Sequence, residues 1–310
     1  LKGRSWLILC LTTITLVLLS SCAFNLFANL ELRNLLTSGT LEQRLEAASN
    51  ALSGRNYDAA IALAASVINE KLRLELQVEV LEKLLDSAST VYDLAQAIQS
   101  ATVTEDLLDA VKILVEAVAR KTEKDIARLV EKVEEVIPIL QELGIELTPS
   151  KSKSNNSNFW AEFETNAGTI VKFLAETFDG RYTLKLLTSG YYFVTKNSTD
   201  KTLPAVLCSL YDIGYMFNLL LDLNDDGNVT DEKFVKDVIT NPASIVEFSQ
   251  QATSGLYNDT KDCEEFIWAY EILAEMFDIL SISATFTTLD TTTLYEKEHI
   301  LDIFNTLFGE

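Results

Sequence analysis

Three oxygen-bearing side chains at alternate positions, Asp222, Asn224 and Asp226, are followed at once by Gly227. A hard divalent cation such as calcium takes six to eight oxygens at about 2.3–2.6 Å, so a chain that holds one must curl tightly while offering oxygen at every second residue. Gly227 admits the left-handed backbone that such a curl requires. The same residues also suit a plain polar turn between two helices, of the kind that Asp often begins. Both readings stand on spacing alone.

Other chemistry is sparse. A single His, His299, removes most ways to build a zinc site or a Ser/His/Asp triad. Glu296 and His299 have the Glu-x-x-His spacing of di-iron bundles, but that chemistry needs two such motifs, so His299 reads as a surface or capping residue. Glu264, Glu265, Glu271 and Glu275 could supply the paired carboxylates of glycoside hydrolysis. On an acidic helix they read first as a solvated face. No Gly-x-Ser-x-Gly, phosphate-binding Gly-rich Lys loop or His-Glu-x-x-His run occurs in the 310 residues.

Cys208 and Cys263 either form a disulfide or remain two buried thiols. Geometry decides between these, and spacing does not reveal it. Asp and Glu number 46 against 25 Lys and Arg, a formal charge of −21. Any polyanion is repelled over the whole approach, which sets nucleic acid aside and favours cations or basic proteins as partners.

The N-terminus carries Lys2 and Arg4, an apolar run from Trp6 to Leu19, and then Leu19, Ser20, Ser21 and Cys22. These are the parts of a secretory signal peptide, and the run is short for a spanning helix, which needs about 20 apolar residues. Its last four residues resemble the lipobox of bacterial lipoproteins. The resemblance implies cleavage before Cys22, diacylglyceryl attachment to the Cys22 thiol and acylation of its new amino group. Two or three acyl chains on one residue, at about 0.8 kcal/mol per buried CH₂, hold a protein at a membrane. It also implies export to the cell envelope. Ala23 in place of the Asp that commonly retains such proteins at the inner membrane favours the outer one in a diderm cell.

The 222–233 stretch resembles the EF-hand and dockerin-type calcium loop. By that resemblance Asp222, Asn224 and Asp226 are ligands, Asn228 offers its backbone carbonyl, Val229 packs beneath the loop, and Thr230 reaches the ion directly or through water. One departure matters. The twelfth position, where the family has a bidentate acid, is Lys233, and Glu232 stands one residue early. Loss of the bidentate ligand weakens such a site toward about 10⁻⁴–10⁻³ M, unless a rotation of the following helix brings Glu232 in.

These residues need elements to position them, and the pattern predicts an all-α protein. From 40 to 147, apolar residues recur at three- and four-residue spacing, giving helices near 41–53, 56–70, 72–88, 90–101, 104–121 and 123–143 in a bundle or α-solenoid. Thr40 and Gln43 form a capping-box signature. Within this region, Gly54, Tyr57, Ala60, Ile61 and Ala64 resemble one tetratricopeptide hairpin. A simple antiparallel helix pair needs the same small residues. Residues 148–158 are polar and read as a linker.

Beyond the linker, residues 159–310 form a second helical domain, with helices near 159–178, 203–221, 232–239, 242–252, 262–280 and 291–307. Residues 182–195 fit a helix or a strand pair, with the helix preferred. Trp160, Trp268 and the run Tyr191, Tyr192, Phe193 are expected to pack its core. The divisions are thus a signal peptide (1–21), a lipidated tether (22–39), a repeat-like domain (40–147), a linker (148–158) and a C-terminal domain (159–310).

Together these features lead to the expectation of a membrane-anchored, non-enzymatic helical binding or scaffold protein with a degenerate calcium loop and a protein partner. The alternatives are a metal-free envelope adaptor and, more remotely, a carboxylate-based hydrolase.

Overall fold

A computed structural model describes residues 31–125, 127–128, 180–221 and 260–282, and every regular element among them is helical. They are α1 (Leu41–Ser53), α2 (Tyr57–Leu72), α3 (Val78–Leu81), a 3₁₀ turn (Leu84–Asp86), α4 (Ala88–Gln99), α5 (Glu105–Lys121), α6 (Arg181–Asn197), α7 (Thr202–Leu221) and α8 (Thr260–Ile279). Residues 31–38 are helical as well. The all-α expectation holds. No helix among the described residues is long and apolar enough to cross a membrane.

The chain gathers into two compact units. Of the described residues, the first holds 31–84 together with Thr104–Leu114, and the second holds Leu85–Val103 and those from Val115 onward. Helix α4, although it precedes the 148–158 linker in sequence, therefore belongs with the C-terminal helices. The linker lies outside the described residues.

In the first unit, Thr40 caps α1 in a complete box. Its hydroxyl accepts from the Gln43 amide at 3.2 Å, and its own amide donates to the Gln43 side chain at 3.0 Å, so two orphan donors are satisfied reciprocally. A three-residue joint turns α1 back against α2. Arg55 takes a left-handed conformation there, and the Asn56 side chain accepts from the Ala59 amide. Every residue of α2 from Ala60 to Ile68 is buried. Its Ala residues allow neighbouring backbones to approach closely, so this helix is enclosed rather than one-sided.

The expected helix 72–88 does not form. Arg73 and Glu75 both adopt left-handed backbone. The Asn69 side chain also holds the returning chain from both sides, accepting from the Leu76 amide at 2.9 Å and donating to the Leu76 carbonyl at 3.1 Å. An amide side chain that bonds a backbone in this way competes directly with helix continuation. Only α3 and the 3₁₀ turn remain.

In the second unit, α6 packs against both α4 and α7, and α7 packs against α8. Residues 182–195, ambiguous in sequence, lie wholly within α6. The Thr195 hydroxyl and the Asn197 amide each donate to a carbonyl four residues back. Gly180, at φ +82°, starts the helix from a backbone conformation that L side chains rarely adopt. Pro204 falls in the first turn of α7, where a missing amide costs nothing.

Ala205, Cys208, Ile272 and Met276 form a core against which Tyr191, Tyr192 and Trp268 pack. Phe193 is buried. The expected core roles of Trp268 and the 191–193 run are thereby met, while Trp160 lies outside the described residues.

Candidate functional site

The densest polar chemistry in the described residues is enclosed in the second unit. Lys185 is fully buried in α6, and Glu265 on α8 is nearly so. The two form an ion pair with a hydrogen bond from Lys185 Nζ to Glu265 Oε2. Tyr215 of α7 donates to the same oxygen at 2.9 Å. On the other oxygen, Tyr92 of α4 donates at 2.6 Å and Gln96 Nε2 donates at 3.2 Å. A carboxylate has about four acceptor positions, and here all four are filled. Four helices, α4, α6, α7 and α8, thus meet at one side chain.

The ammonium is also ringed by aromatic faces. Lys185 Nζ lies 4.3 Å from the centroid of Trp268, 4.7 Å from Tyr92 and 5.6 Å from Tyr215. Ring quadrupoles attract a desolvated cation, which offsets part of the cost of taking Lys185 out of water. Tyr215 meets Trp268 edge-on at 6.1 Å, and Tyr92 meets Tyr182 edge-on at 6.4 Å.

Burial alone would raise the Glu265 carboxyl, but the Lys185 ammonium and the Tyr92 and Tyr215 hydroxyls outweigh it and hold the group below its ordinary value. Burial, reinforced by the adjacent carboxylate, pushes Tyr92 up to about 12 and raises Tyr215 well above its ordinary value of 10.0. Both phenols therefore stay protonated and keep donating. A carboxylate that is saturated and held ionised has neither a proton to give nor a free position on which to take one. The arrangement acts as a clamp, and its chemistry is cohesive.

A smaller version lies toward the surface. Glu275 accepts from Tyr192 at 2.9 Å and pairs with Lys196. The reading of Glu264, Glu265, Glu271 and Glu275 as a single solvated face needs correction. Glu264 and Glu271 are exposed, whereas Glu265 is buried and Glu275 is engaged. Glu265 and Glu275 are thus committed to separate sets of partners.

Cys208 stands as a free, fully buried thiol rather than half of a disulfide. It contacts the Thr188 carbonyl at 3.6 Å, and burial raises it well above a reactive value. The side chain of Cys263 lies outside the described residues. So do Cys22, the whole 222–233 stretch with Asp222, Asn224, Asp226, Asn228, Thr230 and Glu232, and the Glu296/His299 pair. Among the described residues, no group of three or more His, Cys, Asp or Glu side chains converges as a metal site would.

Set against protein-family models, curated proteins and solved structures, the chain matches none. Its function is therefore argued from its own residues.

Proposed function

We propose that this chain is an exported bacterial lipoprotein, anchored through Cys22, whose helical body is a non-enzymatic binding or scaffold unit of the cell envelope. The observation that carries this reading is the order of Lys2 and Arg4, the apolar run 6–19, and Leu19, Ser20, Ser21, Cys22. The commitment of Glu265 and Glu275 to internal partners supports binding over carboxylate hydrolysis, because a general acid must be able to release a proton. The charge of −21 favours a basic protein surface as the partner and opposes nucleic acid. Labelling with a palmitate analogue in an expressing bacterium tests the anchor. Label should enter the unaltered chain and vanish in Cys22→Ser; label that persists in the variant contradicts the reading.

The loop 222–233 is proposed as a structural calcium site, in which the ion relieves the mutual repulsion of Asp222 and Asp226 and draws in Asn224, Asn228, Thr230 and Glu232. Lys233 at the closing position favours the competing reading, a metal-free adaptor. Melting in millimolar calcium and in chelator separates the two. A calcium-dependent rise that is lost in Asp222→Ala supports the site, and superimposable curves leave the adaptor.

A further inference from the structure

Asp212, on α7 beside the clamp, is fully buried, and neither of its carboxylate oxygens has a hydrogen-bond partner. An ionised carboxylate left in this state is among the costliest groups a core can hold. We propose that Asp212 is a proton-binding site: the second unit folds with this carboxyl neutral, taking up a proton that the unfolded chain would not hold at neutral pH.

The surroundings support this. From α6, Lys185 is the charge that bears on Asp212, and its ammonium is already given to Glu265. Arg181, one turn earlier and also buried, acts on Tyr92 and Tyr215. Tyr191 of α6 stacks on Tyr211.

From α8, Glu265 faces Tyr215, and Glu275 is engaged by Tyr192 and Lys196. On α7 itself, Cys208 lies one turn before Asp212 and is raised partly by it. From the segment after α5, the Lys124 carbonyl accepts from the Tyr211 hydroxyl, and the Asp125 carboxylate acts on the same phenol.

One buried ammonium thus faces two buried acids and is bonded to the first. The second lowers its energy by staying protonated, and its O–H then becomes a donor able to bond a helix carbonyl, as hydroxyls in helices do. The Thr188 and Ser189 hydroxyls, buried on α6 one turn beyond Lys185, also lack partners. Neither hydroxyl is bonded to Asp212.

The sign follows from proton uptake. Burial raises Asp212 well above its ordinary value of 3.8. Its contribution to stability is therefore present in acid and declines as pH rises toward the folded value, the opposite of a salt-bridged acid. Asp212→Asn copies the neutral acid and removes the titration.

For the full chain in detergent, the unfolding constant relative to that of Asp212→Asn should grow by up to about tenfold per pH unit above the ordinary Asp range. Parallel stability profiles for the two proteins would overturn the proposal. If the variant does not fold, the carboxyl carbon-13 shift of Asp212 in the unaltered chain decides at pH 7, a protonated shift supporting the proposal and an ionised one refuting it.

Discussion

The two units solve the same problem, the cohesion of short helices, by different means. The first relies on close approach. Its central helix α2 buries nine consecutive residues from Ala60 to Ile68, four of them Ala between 60 and 65. Among its ion pairs, Arg44 with Glu70 and Lys71 with Asp106 each keep the carboxylate about half exposed, although the Arg44 guanidinium itself is buried. The second unit also has exposed pairs but places one, Lys185 with Glu265, inside the core, ringed by Tyr92, Tyr215 and Trp268. Surface pairs add at most about 1 kcal/mol, whereas a buried pair is costly to break because the survivor is left uncompensated. Shape therefore governs the first unit, and charge balance governs the second.

The largest effect that follows belongs to the clamp. Glu265→Gln should destabilise the second unit by about 3–5 kcal/mol, since Lys185 is stranded in an apolar site. Urea unfolding measures this, and a loss below about 1 kcal/mol would erase the contrast between the units. The pH dependence of the unaltered clamp has a definite sign. Glu265 is held below its ordinary 4.5, so its contribution is complete above that value and is lost as pH falls through the folded one. Acid should therefore release the amide protons of α6 and α8 in hydrogen exchange more steeply in the unaltered chain than in Glu265→Gln.

For the first unit the sharper probe is volume. Ala64, with no exposed surface, should cost about 1–3 kcal/mol as Ala64→Leu by overpacking, with no dependence on pH. Smallest is the cap. Thr40→Ala removes the acceptor for the Gln43 amide and should cost about 1 kcal/mol, which thermal melting reads directly.

How much of this could be read in the sequence varies with the kind of signal. The Thr40/Gln43 box and the limits of α1 are local, and the structure repeats them. Helices α5, α7 and α8 fall within two residues of the periodic pattern, because their apolar stripes are long. The break after Leu72 was not legible. It comes from the Asn69 side chain and two left-handed residues, Arg73 and Glu75, neither Gly nor Pro.

The clamp was less legible still. Glu264 and Glu265 are adjacent acids on one helix, about 100° apart around its axis, and only the placement of α4 and α6 decides which of them turns inward. The available signal was Lys185, a lone cation in the run Leu184, Lys185, Leu186, Leu187. A charge at the centre of an apolar helix asks for a buried counter-charge.

The clamp's claim to hold the second unit together is tested most directly by a double-mutant cycle on Lys185→Met and Glu265→Gln in the full chain, followed by urea unfolding. If the buried pair acts as one unit, the double variant will be less destabilised than the sum of the singles by about 2–3 kcal/mol. Single losses that add to within about 0.5 kcal/mol would show that the two residues stabilise the fold independently, contradicting the clamp.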